Sequence, residues 1–476
     1  MRNVFAFRFG IQDSDRASAA REKFERGVMA FLGDDAASRA HYIGNLIGFD
    51  FAQSPYIQDE DPAQLTQLGI YYLTEFFGVL GRTAMTVLFL DDIHWADDRS
   101  LELINHIVRA RRDLRLMILC LARPTLFERR PPLWTDKHAF HTTLELKPLT
   151  PAEIRNLVGQ ILSRVESIPD SLYTLVVNSA DGNPFYAEEL LKMLIDDGVI
   201  VKAEPHWTIE AERLTNLRIP PTLTGVLQAR LDALPLAERV ALQRASVVGR
   251  IFWDQVLGSL HSEDEAAPIS NIDSVLADLR RRELIRGRGE STFANTQEFI
   301  FKHTMLRDVT YESVLKRQRR VYHEQVANWL VERTSDRAGE YTGLIADHYE
   351  KAGQPNKAFT YLLRAGERAV SGNANTEAIA LLERALELLD EVELTDRPAR
   401  EAQIRLWLGS AQRGLSNYAA AISYTEEALR LFSEAQEKRG VVNALNDLGW
   451  MMGVILLHRE EGTMYFQQAL AMAREI

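Results

Sequence analysis

Residues 86 to 98 read TVLFLDDIHWADD. Thr86, Val87, Leu88, Phe89 and Leu90 are mostly β-favouring, and the run stops at two carboxylates, Asp91 and Asp92. A segment this short and this apolar suits a strand buried on both faces of a parallel sheet. Ligands of open α/β sheets sit beyond the carboxyl ends of the strands, so a carboxylate pair there is placed to meet Mg²⁺ and a phosphate or a water. The alternative is a solvated turn.

Downstream, Leu101, Ile104, Ile107 and Val108 line one face of a helix that Asp98 or Ser100 can cap, and LRLMILCLAR follows as a second strand ending in Arg123. Strand, helix and strand form a βαβ unit whose right-handed crossover puts Asp91, Asp92 and Arg123 at one edge. Two carboxylates facing a guanidinium can hold a metal and a γ-phosphate, although an arginine at a strand end is often only a surface residue. HTTLELKPL, residues 141 to 149, is a candidate third strand before a helix capped by Thr150 with Pro151 at its first position. Upstream, helices are expected over Asp13 to Leu32 and Ala63 to Leu80. No G-x-x-x-x-G-K-[ST] loop occurs anywhere in the chain, although that loop normally cradles phosphates.

Residues 150 to 215 read as helical, with apolar faces at Ile154, Leu157, Val158 and Ile161 and at Leu172, Leu175, Val176 and Ala180. The second face closes at Asp181-Gly182-Asn183-Pro184, a turn between helices, and PFYAEELL continues as a helix. From about Ile219 to Ile300 helices at Leu223 to Leu231 and Ile272 to Leu279 precede LRRRELIRGRG and FIFKH, a pattern that suggests a winged helix. Arg280, Arg281, Arg282, Arg286 and Arg288 make it locally basic, but no base-reading set of Asn, Gln and Arg accompanies them, so nucleic acid is not the expected partner. The last third repeats a small-and-large pattern: Ala346, Ala358 and Ala365, then Gly409, Ala421 and Ala428, then Gly449 and Ala469. Such helix pairs must stack to bury their faces, giving a solenoid with a groove for a protein or peptide.

LFLDDIHWADD resembles the Walker B element of the STAND group of P-loop signal-transduction ATPases, of the kind attached to nucleotide cyclase or transcription-regulator modules. LARPTLFERRPPLW resembles that group's next strand, ADGNPFYAEELL its G-x-P element, and FKHTMLRDVTYESV the end of its winged helix. The resemblance implies ATP or ADP with Mg²⁺ as cofactors. Asp91 would hold Mg²⁺, Asp92 would orient or activate the hydrolytic water, and Arg123 would meet the γ-phosphate. Gly182, Asn183 and Pro184 would lie at the nucleotide, with the proline near the adenine, and His303 would report on its phosphates. Thr304 stands where the family pairs that histidine with an aspartate. The phosphate loop and its strand are expected upstream of Met1. That strand belongs between the Arg123 strand and the 141 to 149 strand, so its absence leaves an apolar edge unpaired.

The expected fold is multidomain and mainly α: a truncated α/β P-loop NTPase remnant at 1–148, a helical lid at 149–215, a winged helix at 216–305 and a tetratricopeptide-like solenoid at 306–476. At 476 residues the chain exceeds one core, and its net charge of -12 names no partner. A single cysteine, Cys120, excludes an internal disulfide framework, and no signal or membrane-spanning segment is evident, which points to the cytoplasm. Two functions are in view. One is a nucleotide-gated signalling ATPase that takes an upstream ATPase half or a cyclase or regulator module as partner. The other is a non-enzymatic scaffold in which only the repeats bind, with DNA regulation through the winged helix as its variant.

Overall fold

A computed structural model describes the chain except residues 13–14, 50, 52–53, 59–61, 97, 111–113, 130–140, 211–212, 214–218, 262–268, 270, 290 and 335–337. The end of the LARPTLFERRPPLW motif lies outside the described residues. Contacts divide the chain into two compact units. One holds Met1–His141, Thr292–Ala294 and Ala327–Ile476, and the other holds Thr142–Ser291 and Asn295–Val326.

The first unit begins with four helices, α1 (Arg2–Phe9), α2 (Ala17–Leu32), α3 (Ala37–Leu46) and α4 (Pro62–Thr83). They close on an aromatic core in which Phe5 lies 5.2 Å from Phe76 and Phe24 lies 4.8 Å from Phe49. Aromatic edges and faces pack well at these separations. Next come β1 (Thr86–Leu90), α5 (Asp98–Ala110), β2 (Leu116–Cys120) and the short α6 (Thr125–Arg129). β1 and β2 pair in parallel from Thr86↔Leu116 to Leu90↔Cys120, the register of the expected βαβ unit.

Burial on both faces is not what the sheet shows. Leu88 is buried and Leu103 and Ile107 of α5 join the aromatic core, whereas Val87, Phe89, Met117 and Leu119 of the other face are exposed, Phe89 at 55%. The sheet has two strands among the described residues, and nothing among them covers that second face. Nor is 141–149 a strand. Its backbone carries no strand assignment, Leu144 and Leu146 are exposed, and alternation without an adjacent edge to pair with does not make a ladder.

The second unit opens with α7 (Pro151–Ile161), α8 (Asp170–Ala180) and α9 (Pro184–Asp196), followed by the short hairpin β3 (Ile200–Val201) and β4 (Thr208–Ile209). Thr150 and Glu153 form a reciprocal capping box at the start of α7, satisfying two otherwise orphaned N–H groups. The unit continues with α10 (Leu223–Asp232), α11 (Leu236–Val248), β5 (Ile251–Trp253), α12 (Asp254–Ser259), α13 (Ile272–Arg281), β6 (Ile285–Gly287), β7 (Glu298–Phe301) and α14 (Thr304–Ser313). Its three-stranded sheet is antiparallel with β7 in the middle.

After α15 (Lys316–Thr334), the chain is a run of antiparallel helices: α16 (Ala338–Lys351), α17 (Pro355–Ser371), α18 (Asn375–Glu387), α19 (Arg397–Gly414), α20 (Tyr418–Glu434), α21 (Lys438–Trp450) and α22 (Arg459–Ala473). Small residues set the spacing. A Cβ on Gly409 of α19 would come within 2.5 Å of the Thr425 hydroxyl on α20. Ion pairs recur along the stack, Arg384 with Asp347 at 2.5 Å across 37 residues and Arg413 with Asp447 at 2.9 Å across 34 residues. The protein is therefore mainly helical and solenoid-like with a few small sheets, and among the described residues no helix is long and apolar enough to cross a membrane.

Candidate functional site

Two groups of predicted residues emerge, one in each unit. In the first, hydrogen bonding carries on past the strand ends: the Leu121 N–H donates to the Leu90 carbonyl at 2.9 Å and the Ile93 N–H donates to the Leu121 carbonyl at 2.9 Å. Between these bonds the backbone reverses at Asp92, whose φ of 54° lies in the left-handed region that aspartate tolerates better than most residues. A 3₁₀ turn over Ile93–Trp95 follows, with Ile93 packed on Leu101 and Leu126. The β1–β2 pair thus projects Asp91 and Asp92 from the same end of the sheet as Arg123. Asp91 and Arg123 are exposed, Asp92 is half-buried, and His94 beneath them is buried.

The second group gathers Asn183, Pro184 and His303. The Asn183 carboxamide oxygen accepts from the N–H groups of Phe185 at 3.0 Å and Tyr186 at 3.2 Å, so it caps α9, and Pro184 occupies the first turn where it loses no hydrogen bond. Gly182 has φ 77°, and a Cβ there would sit 2.7 Å from the Leu149 carbonyl oxygen, so the crossing of residues 148 and 149 demands glycine. Phe185 then lies over the His303 ring at 4.0 Å. The His303 Nε2 is buried with no hydrogen-bond partner, and burial holds this imidazole below its ordinary range.

Around that stack runs an ion network with no evident signal in the sequence. Glu188 accepts from Lys192 at 2.5 Å and from Lys302 at 2.9 Å, Lys302 reaches Glu283 at 2.7 Å, and Glu189 binds Lys192 and Arg230. Burial pushes the Glu188 carboxyl up, but the hydrogen bonds from Lys192 and Lys302 outweigh it and bring it down to about 2. Glu188, Glu189 and His303 hold ligand atoms within 4.8 Å of one another. Three protein cations already serve the two carboxylates, so this cluster is an ion-pair network rather than a metal centre. A groove of about 740 Å³ beside α10, α11 and α14 is lined by none of the predicted site residues.

No family model matches the chain. An uncharacterised protein of Rhizobium meliloti (strain 1021) is 25% identical over 348 residues, which is 72% of this chain and 32% of that protein. Adenylate cyclase type 10 of Rattus norvegicus is 22% identical over 213 residues, 37% of this chain and 13% of the cyclase. The same cyclase of Mus musculus is 23% identical over 229 residues, 38% and 14% respectively. The chain therefore matches a third or less of the length of these curated relatives. Among solved structures, a Signal Transduction ATPase with Numerous Domains (STAND) protein with a tetratricopeptide repeat sensor from Pyrococcus horikoshii aligns with the whole chain and 83% of its own, at 15% identity and a TM-score of 0.39.

Proposed function

We propose that this chain is part of a nucleotide-regulated signalling ATPase in which ATP with Mg²⁺ governs a tetratricopeptide-like, protein-binding solenoid. The observation that carries this reading is the left-handed turn at Asp92, which sets two carboxylates at the carboxyl end of a parallel strand beside a second strand leading to Arg123. Carboxylate oxygens are the donor type that Mg²⁺ selects, so Asp91 and Asp92 fit the ion. Bound there, Mg²⁺ would neutralise charge on the phosphate oxygens. Asp91 would hold it, Asp92 would orient the attacking water as acceptor, and Arg123 would offer its guanidinium to the terminal phosphate. Taken by itself, the second unit offers Pro184 and His303 as residues that would contact a nucleotide's base and phosphates. The unpaired Nε2 of His303 supports this, whereas Gly182 and Asn183 already have local backbone duties.

Phosphoryl transfer depends on positioning, and no phosphate-cradling loop is in the sequence. An upstream segment is proposed to bring it, with a cyclase or transcription-regulator module as a further partner. A second reading, a scaffold that binds protein through its solenoid without turning over nucleotide, draws support from the face of the β1–β2 sheet that carries Val87, Phe89, Met117 and Leu119, exposed among the described residues, because a parallel sheet is ordinarily covered on both faces.

Titration of a fluorescent ATP analogue in Mg²⁺ separates the two. The 476-residue chain alone is expected to show no micromolar binding. The same chain preceded by its natural upstream coding sequence should bind and hydrolyse ATP, and Asp92→Asn there should lower kcat by about 10²-fold or more. Micromolar binding by the isolated chain, abolished by Asp91→Ala, would overturn the need for the upstream segment. Failure of the extended protein to bind would sink the ATPase reading in favour of the scaffold.

A further inference from the structure

We propose that His94 is a positioning residue for Asp92: its Nδ1–H donates to the Asp92 carboxylate and so fixes which carboxylate oxygen faces the reacting water. The role of that water rests on the ATPase reading above, whereas the His94–Asp92 bond does not.

His94 is only 7% exposed, and neither of its ring nitrogens has a hydrogen-bond partner. Buried polar groups are almost always paired, so an imidazole with two orphan nitrogens needs an explanation. Its Nδ1 lies 3.9 Å from Asp92 Oδ1. A shift of about 1 Å brings that pair to hydrogen-bond distance. The backbone is pinned by the Ile93 bond to Leu121 at 2.9 Å and by the Trp95 N–H donating to the Asp92 carbonyl at 3.0 Å. The adjustment therefore belongs to the side chains. On the outer side the exposed indole of Trp95 rests against the imidazole, with ring centroids 5.2 Å apart, and limits where it can swing. With one oxygen engaged by Nδ1–H, the other is turned outward, as in sites where an outer hydrogen bond orients a carboxylate or imidazole that does the chemistry.

The test reads the tautomer. The 476-residue chain is labelled with ¹⁵N-histidine and recorded at about pH 8.5, where an ordinary imidazole is neutral, with His94→Asn identifying the signal. Two-bond ¹H–¹⁵N spectra should show His94 protonated on Nδ1. Asp92→Gly, which keeps the left-handed turn and deletes the acceptor, should move the proton to Nε2. An Nε2–H tautomer in the wild type, or a tautomer indifferent to Asp92→Gly, overturns the proposal.

A second arm uses the extended, ATP-hydrolysing protein. His94→Asn, whose amide N–H stands near the former Nδ1–H, should keep kcat within about threefold of wild type, and His94→Phe should lower kcat about tenfold with KM unchanged. Equal losses in the two variants overturn the positioning role. If the extended protein hydrolyses no ATP, the ATPase reading falls, and the tautomer still decides whether the bond exists.

Discussion

Burial holds His303 below the ordinary 6.5 of an imidazole, opposed mainly by the nearby Glu189. The unfolded chain therefore takes up a proton through about pH 6.5 that the folded protein resists, and stability falls as pH drops through that value. His303→Gln should flatten the dependence of Tm on pH between about 7.5 and 5.5, as read by thermal melts across that range. Glu188 acts in a lower window. Its folded value of about 2 lies under the ordinary 4.5, so its contribution is complete above 4.5 and disappears as pH falls toward 2. Glu188→Gln should lower Tm by a few degrees at neutral pH, and its gap from wild type should close over that acid range. At this scale the Asp91–Asp92 pair is legible because charge breaks an apolar run. The Glu188–Lys302 pair is not, because its members are 114 residues apart and only the fold brings them together. His94 is equally hidden, since a histidine in a polar stretch gives no sign of burial.

In the sheet, the two faces of one strand make opposite predictions. Leu88 is 8% exposed and Phe89 is 55% exposed, although both belong to the same apolar run. Leu88→Ala should cost about 2–4 kcal/mol, and Phe89→Ser under about 1 kcal/mol while reducing binding of an apolar dye. Equal destabilisation by the two would mean that the outer face is covered in solution. Strand and helix positions are legible here because alternating and 3.6-residue periods are local properties. Whether an apolar run is covered on one face or two depends on neighbours outside the run, which is why TVLFL reads as fully buried and is not. The same limit applies to 141–149, where the pattern is present and the partner edge is missing among the described residues.

Across the whole molecule, the solenoid is legible from small residues recurring against large ones, since close helix approach leaves a mark in composition. The aromatic four-helix core is less so. α1 has little amphipathic pattern, and what holds it is Phe5 set against Phe24, Phe76 and Phe77. Membership of Thr292–Ala294 with Ala327–Ile476 could not be read from sequence at all, because it is a property of contacts between distant segments. Stacked repeats touch mainly their neighbours, so damage should spread locally. Gly409→Val drives a branched side chain against Thr425 and the Ala421 carbonyl. Hydrogen exchange should then lose protection first in α19 and α20, while Thr142–Ser291 keeps its protection. Uniform loss across both units would show that they unfold as one.

The positive φ at Asp92 also bears on how this site can decay. Glycine, asparagine and aspartate are the residues that accept such a turn most readily. An aspartate codon reaches either of the other two by a single-nucleotide step. Drift at this codon can therefore erase the charge while the loop, the strand pair and the turn over Ile93–Trp95 stay in place, leaving a descendant that keeps the shape of this loop without its second carboxylate.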